Sequence, residues 1–358
     1  MKMSQPSSPS PTVADQGQVF SFLGDPRTFG LAAPVRRIDT HGAALFLAGR
    51  DVYKVKRAVR FPFMDFSTLE KRRAACEAEI AVNGPNAPGI YLGAVPITRA
   101  ASGLALGGAG DIVEWAVHMR RFDENATLDR LADRQALSAD LIAKLAFAIL
   151  HSHERAPRRD GEAAAQALGR YLDQNEEAFA ARPDLFEAER AKRLAADARA
   201  SLKAARDLLV ARGAAGYVRR CHGDLHLRNI ALIDGEPVLF DAVEFDDSIA
   251  TGDVLYDLAF LLMDLEERGL RRAGNQILNR YLRESDEAQL AGLAALPIFL
   301  SIRSAIRAKV VAAGLVHLGA QRGSAPLFLV RRGIPGAGAG PSSGHRRPVG
   351  RGQEHAGG

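Results

Sequence analysis

The first third of the chain is built from short apolar runs separated by turns, a pattern typical of β-strands. Turn residues at His41-Gly42 and Gly49-Arg50-Asp51 separate the first runs. Phe66–Val82 instead has helical spacing and opens at Ser67-Thr68, which can cap a helix. The pattern predicts a small sheet with one helix, and its strands are Val35–Ile38, Ala43–Ala48, Asp51–Lys56, Tyr91–Ile97 and Ile112–Arg120.

From Leu128 onward the pattern is mainly helical. The first long helix places Leu137, Leu141, Leu145 and Ile149 on one face. Short strands interrupt the helices within Tyr217–Asp241. The predicted helices are Ala136–Glu154, two or three within Ala163–Ala211, Asp253–Glu267, Gly269–Glu284, and more within Leu290–Leu318.

The composition is that of a soluble, globular protein that can bury a large core, with 47% hydrophobic and 25% charged residues among 358. No apolar run is long enough to span a bilayer, so we expect no membrane partner. Residues 1–18 lack the apolar core of a secretion signal and are expected to form a disordered leader. Cys76 and Cys221 are too few for a disulfide framework and suit a cytoplasmic location.

The net charge of +5 is concentrated in the last 28 residues. This tail holds five arginines and one glutamate, so the rest of the chain is nearly neutral. It also contains nine of the 34 glycines and no sustained periodicity, which predicts disorder. A basic tail on a neutral body gives no reason to expect a nucleic-acid partner.

One stretch carries most of the chemical information. It reads Cys221-His222-Gly223-Asp224-Leu225-His226-Leu227-Arg228-Asn229, and Asp241 ends an apolar strand twelve residues after Asn229. Protein kinases use H-R-D-x-x-x-x-N followed by D-F-G, in which one Asp orients the attacking hydroxyl and the other two polar groups hold metal. The same spacing here predicts phosphoryl transfer from Mg·ATP.

The His-Gly-Asp form of this motif resembles the aminoglycoside phosphotransferase family, a branch of the protein-kinase-like enzymes. The resemblance extends from about Val35 to about Leu329 and is strongest over 216–265. It implies an α+β, bilobal protein-kinase-like fold with a small β-rich N-lobe and a larger helical C-lobe. The expected divisions are a disordered leader (1–30), the N-lobe (31–118), the C-lobe with the catalytic loop (119–330) and a disordered tail (331–358).

Three residues have the chemistry of a phosphotransfer site. Asp224 is the candidate catalytic base, because a carboxylate can position a weakly nucleophilic hydroxyl and accept its proton. Asn229 and Asp241 are the candidate metal ligands, because Mg²⁺ prefers oxygen donors and takes few of them from protein. Each residue alone would be read as a cap or turn residue, and only the shared spacing favours catalysis.

A lysine on the third strand should reach the ATP phosphates. Lys54 and Lys56 lie on the same face of that strand, so the pattern leaves both open, with Lys54 the better match. The carboxylate that holds this lysine is Glu77 or, preferably, Glu79. The resemblance further places the hinge that binds adenine at Glu114-Trp115-Ala116-Val117, where backbone groups would make the contacts.

The residues around Asp224 and those at Gly252–Asp257 have other possible roles. His222 and His226 could form a zinc site with Cys221, but no second ligand pair has zinc-site spacing. The resemblance makes His222 a structural support of the loop. It also implies that Asp253, the first Asp of Gly252-Asp253-Val254-Leu255-Tyr256-Asp257, braces the catalytic loop.

The tail has a second interpretation at the level of codons. When residues 347–357 are back-translated and shifted by one base, the degenerate codons permit a P-loop, G-x-x-x-x-G-K-S. We hypothesise that the chain is a frameshifted form of bacterial proteins that join a phosphotransferase-like domain to a P-loop kinase, with the shift near 323–332. The leading function is then ATP-dependent transfer to a small-molecule hydroxyl. The alternative is a weakly active nucleotide-binding module left from that fusion.

Overall fold

The computed structural model describes residues 14–61 and 64–321. The strands of the first part of the chain are β1 (Arg36–Asp39), β2 (Ala43–Ala48), β3 (Asp51–Lys56), β4 (Arg60–Phe61), β5 (Met64–Asp65), β6 (Tyr91–Ala100), β7 (Gly103–Leu106) and β8 (Asp111–Arg120). Six of them form the largest sheet, which is antiparallel and has the spatial order β1-β2-β3-β8-β6-β7. The predicted β2 and β3 have the predicted bounds, whereas the β7 hairpin strand was not predicted.

Helix α1 (Gly17–Gly24) precedes the sheet and packs against it. Val19 and Leu23 are buried with Phe46 and Val55, so this helix closes one face of the sheet. The predicted disordered leader of residues 1–30 is therefore wrong from Gly17 onward. Its apolar residues are spaced for one short helix, and the seven Pro and Ser residues before them obscure that spacing.

Helix α2 (Leu69–Asn83) packs on the opposite face of the sheet. It begins where predicted, because the Thr68 side chain accepts a hydrogen bond from the Lys71 backbone N–H. Cys76 is fully buried in a cluster with Leu47 and Val117. The helix thereby fixes the position of Glu79, one turn further on, beneath the sheet.

The second part of the chain is helical and has one large core. The core is built from leucines and aromatic residues of several helices, with Tyr281 and Phe299 almost inaccessible to solvent. Its helices are α3 (Leu128–Asp133), α4 (Ala139–Arg155), α5 (Gly161–Ala180), α6 (Ala188–Ala214), α7 (Asp247–Ala250), α8 (Val254–Glu267), α9 (Arg271–Glu284) and α10 (Leu296–Gln321).

Two small sheets lie within the helical part and present the motif residues. The strands β9 (Val218–Arg220) and β12 (Thr251–Asp253) form one pair, and β10 (Ile230–Ile233) and β11 (Glu236–Leu239) form a hairpin. The hairpin register, Ile230 opposite Leu239, brings the residue before β10 and the residues after β11 to the same end. Asn229 and Asp241 are therefore neighbours in the fold although they are twelve residues apart.

One segment of the described residues, Glu287–Ala312, is long and apolar enough for a membrane span by length and composition. The prediction that no run reaches this length is therefore wrong. Apolar side chains of this segment also pack in the helical core, where Phe299 and Ile302 are fully buried. The expected absence of a membrane partner stays a prediction.

The predicted α+β fold class, with a β-rich part followed by a larger helical part, is confirmed. The division between lobes at residue 118 stays a prediction. Residues 1–13 and the predicted disordered, frameshifted tail at 331–358 lie outside the described residues.

The helices α5 and α6 meet at a pair of glycines, Gly161 and Gly213. A Cβ atom on Gly161 would lie 2.4 Å from the Gly213 Cα, whereas a Cβ on Gly169 of the same helix would meet nothing within 4 Å. Gly161→Ala should therefore cost about 1–3 kcal/mol by overpacking. Gly169→Ala should stabilise the protein by up to about 1 kcal/mol. Urea unfolding of both variants measures this, and equal effects would contradict the close contact.

Candidate active site

The HGD loop, residues 221–229, connects β9 to β10 and presents Asp224. The Asn229 side chain holds Asp224 in place, because its Nδ2 donates to the Asp224 backbone O (3.0 Å) and to Oδ2 (2.9 Å). His226 Nε2 lies 3.3 Å from the same Oδ2. Burial raises the pKa of Asp224, but the hydrogen bond and charge of His226 outweigh it and hold the pKa below its usual value. Asp224 is therefore an ionised, partly exposed carboxylate.

His222 supports this loop from below. Its Nε2 lies 3.0 Å from the Phe240 carbonyl, which can only accept, and its Nδ1 accepts from the Asp224 N–H at 3.3 Å. These bonds fix the neutral tautomer, in agreement with burial, which lowers the pKa of His222. Both ring nitrogens are occupied, so His222 has none left for the zinc site weighed with Cys221 and His226.

Asp257 of α8 carries the loop backbone. Its Oδ1 accepts from the Gly223 N–H at 2.8 Å, and its Oδ2 lies 3.3 Å from the His222 N–H and 3.2 Å from His153 Nε2. His153 is in turn 2.9 Å from the Tyr281 hydroxyl. His153, Asp257 and Cys221 are close enough to hold a metal ion, but the hydrogen bonds already account for both Asp257 oxygens.

The expectation that Asp253 braces the HGD loop is wrong. Asp253 caps α8 through the Leu255 N–H and forms a bidentate pair with buried Arg212, at 2.6 and 2.8 Å. The predicted motif with Asp253 and Asp257 is present at the start of a helix, and this helix, α8, begins at Val254. Asp253 is therefore the residue before the helix, and Asp257, one turn into it, points at the loop.

Asp241 begins the DAV segment, defined as Asp241–Val243, in a strained conformation. Its φ of +58° is left-handed, which is uncommon for a residue with a side chain. Three contacts hold the segment there. The Tyr91 hydroxyl accepts the Asp241 N–H (3.1 Å), the Asn83 side chain accepts the Ala242 N–H (2.8 Å), and the His222 carbonyl accepts the Val243 N–H (3.0 Å).

Lys54 links the sheet, α2 and the DAV segment. Its Nζ lies 2.8 Å from Glu79 Oε1 and 2.7 Å from Asp241 Oδ1. Burial lowers the pKa of Lys54, but the carboxylates of Asp241, Glu79 and Glu244 outweigh burial and raise it well above its usual value. The other glutamate considered for this contact, Glu77, is exposed and pairs with Arg73. Helix α2 ends at Asn83, whose side chain ties the helix to Ala242.

The second candidate lysine also contacts Glu79. Lys56 Nζ lies 2.6 Å from Glu79 Oε2 and forms a further ion pair with Glu244. Glu244 was not predicted as a site residue. Its only signal in the sequence is its position three residues after Asp241, which the motif leaves unspecified.

Glu114 and Ala116 are not in a hinge. Both lie inside β8, where Glu114 pairs with Ile97 and Ala116 pairs with strands on both sides. The Glu114 side chain is buried against Arg72 Nε (2.8 Å) and Gln16 Nε2 (2.8 Å). The predicted hinge position is therefore wrong. Strand β8 continues to Arg120, and the connection to the helical part is residues 121–127.

The donor set at the end of the β10–β11 hairpin fits Mg²⁺. The Asp241 side chain is 45% exposed, and burial, which raises its pKa, is outweighed by Lys54, which lowers it. The Asn229 amide nitrogen is used by Asp224, so its amide oxygen is the atom left to face a cation. A carboxylate and an amide oxygen are hard donors of the kind that Mg²⁺ takes.

The Asp257 brace makes a pH-dependent contribution to stability. Burial raises the pKa of Asp257, but His153 outweighs it and lowers the pKa to about 2 from an ordinary 3.8. A depressed pKa stabilises the fold above pH 4 and loses that effect as the pH falls towards 2. Asp257→Asn should therefore cost about 2 kcal/mol at pH 7 and less below pH 4.

Urea unfolding of the wild type and Asp257→Asn between pH 3 and pH 7 measures the difference. The matched control is Asp133→Asn, which removes an exposed partner of Arg268 and should cost under about 1 kcal/mol at every pH. A difference for Asp257→Asn that does not change with pH would contradict the brace.

A sequence model of the phosphotransferase enzyme family matches residues 84–293. An uncharacterized protein of Mycobacterium tuberculosis is 30% identical over 276 residues, which are 76% of this chain and 53% of the relative. An uncharacterized protein of Mycobacterium bovis matches to the same extent. The chain thus spans about half the length of the curated relatives it matches.

The solved structures that this chain resembles have lower sequence identity. A choline/ethanolamine kinase family protein from Mesorhizobium loti has a TM-score of 0.48 at 14% identity, with 86% of this chain and 88% of that chain covered. A glucosamine kinase bound to glucosamine, ADP and inorganic phosphate has a TM-score of 0.46 at 18% identity, with 80% and 81% covered.

Proposed function

The chain belongs to the phosphotransferase enzyme family, and we propose that it transfers the γ-phosphate of ATP to a hydroxyl group of a small molecule. The observation that carries this proposal is the Lys54 bridge between Glu79 and Asp241, at 2.8 and 2.7 Å. Lysine, helix carboxylate and metal-binding Asp are the parts that a kinase-like site must bring together before transfer. They come here from three distant parts of the chain.

Asp224 is the group that acts on the acceptor. Its pKa is held below the usual value, since His226 outweighs the effect of burial, so at neutral pH it is a carboxylate that can accept a hydrogen bond from the attacking hydroxyl. Asn229 and His226 fix its orientation. Asp224 would also accept the proton of the attacking hydroxyl late in the transfer, because the hydroxyl stays within reach of this carboxylate.

Lys54 is the better candidate for the phosphate contact. It is the lysine that reaches the half-exposed Asp241, whereas Lys56 is enclosed. The adenine would lie beside the connection at residues 121–127, where Phe122 packs edge-on against Phe240 with 5.0 Å between ring centres. In the proposed nucleotide site, backbone groups that follow β8 therefore make the adenine contacts that were predicted for Glu114 and Ala116.

Asn229 and Asp241 would hold the magnesium ion. Bound Mg²⁺ would neutralise charge on the phosphate oxygens and orient them. The protein supplies the two oxygen donors and the restraints on them, namely the bonds from Tyr91 and Asn83 to the DAV segment. The cytoplasmic location remains part of this proposal, because that is where ATP and Mg²⁺ are available.

Asp241→Asn should abolish the Mg²⁺ dependence of nucleotide binding, because one metal-binding carboxylate becomes a neutral amide. A thermal-shift titration with ATP, with and without Mg²⁺, measures this. The wild type should gain stability only when both are present. A wild type with no shift would overturn the proposed function, and an unchanged Mg²⁺ dependence in Asp241→Asn would remove Asp241 as a ligand.

Asp224→Asn should lower turnover by about 10²–10⁴-fold, the usual contribution of a positioned base. Nucleotide binding should stay within about twofold, since Asp224 faces the acceptor. ADP release is measured with an acceptor found by screening hydroxylated small molecules. Asp140→Asn, an exposed substitution on α4, is the control. Turnover that survives in Asp224→Asn would remove this residue from the mechanism.

A second candidate is a nucleotide-binding module left from a fusion with a P-loop kinase. Two observations favour it: the relatives extend well beyond the matched half, and the codons of residues 347–357 permit a P-loop in the shifted frame. Sequencing the gene past codon 358 tests this origin. A downstream frame without a P-loop kinase pattern would reject it.

A further inference from the structure

Two lysines share one buried carboxylate beneath the sheet. Glu79 is fully buried, and its two oxygens lie 2.8 Å from Lys54 Nζ and 2.6 Å from Lys56 Nζ. Each lysine has a second anionic partner, which is Asp241 for Lys54 and Glu244 for Lys56. The five charged groups form one network between β3, α2 and the DAV segment with the residue after it.

The two lysines differ in what they can reach. Lys56 is 2% exposed and lies 5.4 Å from the centre of the Phe66 ring, so it is enclosed. Its backbone is also fixed, because Gln16 Nε2 donates to the Lys56 carbonyl at 2.9 Å. Lys54 has the half-exposed Asp241 as its partner. Only Lys54 can turn towards a nucleotide in the cleft.

The charges show why a second lysine is needed. The network holds two lysines and three carboxylates, for a net charge of −1. If Lys54 turned to the phosphates and Asp241 to a metal, Glu79 and Glu244 would remain buried. Two buried carboxylates without a cation would be strongly destabilising. Lys56 is the cation that stays with both.

We propose that Lys56 is a positioning residue, which holds Glu79 and Glu244 in place while Lys54 passes from Asp241 to the nucleotide phosphates. This inference rests on the proposed nucleotide site. Burial lowers the pKa of Lys56, but Glu79 and Glu244 outweigh burial and the neighbouring Lys54 charge and raise it. Lys56 thus keeps its charge throughout the exchange of partners.

Lys56→Met tests the proposal, because it keeps the length of the side chain and removes the charge. Lys54 is then the only cation of the network for the carboxylates of Glu79, Asp241 and Glu244. It therefore leaves Asp241 for the nucleotide phosphates less readily. The affinity for a fluorescent ADP analogue at saturating Mg²⁺ should fall about tenfold, within the range of ordinary coupling energies. The thermal unfolding temperature without nucleotide and with EDTA should fall as well.

Arg72→Met is the matched control. Arg72 is also buried, lies on the helix that carries Glu79, and pairs with Glu114, outside the network of Lys54 and Lys56. It should lower the unfolding temperature and leave the affinity of the folded protein within about twofold, as expected for a structural ion pair that touches no ligand. An equal loss of affinity in Arg72→Met would overturn the proposal, because the effect would then be one of general destabilisation.

The double variant Lys56→Met/Glu244→Gln separates charge from packing, and it is also the variant to use if Lys56→Met does not fold. It restores the net charge of −1, so it should recover part of the lost unfolding temperature and have an affinity between those of the wild type and Lys56→Met. A double variant whose losses add would overturn the charge argument. Wild-type affinity in Lys56→Met would overturn this inference alone, and a wild type that binds no nucleotide would overturn the proposed function as well.

Discussion

The buried carboxylate of Glu79 is the interaction on which the site depends. A carboxylate without solvent must be compensated locally, and here the compensation comes from two lysines of one strand. This requirement fixes the rotation of α2 against the sheet, because Glu79 must face β3. It also fixes the DAV segment, because Lys54 forms a second ion pair with Asp241 and Lys56 forms one with Glu244. Helix, sheet and DAV segment are thus held by one charge balance.

The HGD loop depends on a different constraint, which is the supply of hydrogen-bond acceptors for its backbone. Asp257 meets this need for His222 and Gly223, while the buried Asp264 accepts the N–H of Leu227. Both acceptors project from α8, and α8 lies in the middle of the helical core. The loop that presents Asp224 is therefore attached to a helix buried in the core, as a preorganised site requires.

The parts of this structure that the sequence predicts well are those with local causes. The strands β2 and β3 follow from alternation between two turns, and the start of α2 follows from the Thr68 cap. The spacing of Asp224, Asn229 and Asp241 predicted that these residues lie close together, because a loop and a hairpin have fixed geometry. The order of strands and helices predicted a β-rich part followed by a helical part, and the resemblance to a known family implied the fold class.

The choices that the sequence left open, and the predictions that were wrong, have non-local causes. Glu79 and Glu77 are two residues apart on one helix, and only the packing of α2 decides which faces Lys54. Glu114 was expected at a hinge although it lies inside the predicted strand Ile112–Arg120, because the resemblance and not the strand pattern set the hinge position. Glu244 and Asn83 enter the site through contacts across 188 and 159 positions of sequence, which no local pattern reports.

Gln16 shows what such contacts imply for the limits of the folding unit. Its side-chain amide donates to Lys56 O and Glu114 and accepts from the Ala58 N–H, so it satisfies polar groups in the interior of the sheet. A shortened chain that began at the first sheet strand would expose those groups together with the apolar face now covered by Val19 and Leu23. The boundary at which this domain could be exchanged between genes therefore lies before Gln16, in a stretch whose composition alone would suggest a dispensable extension.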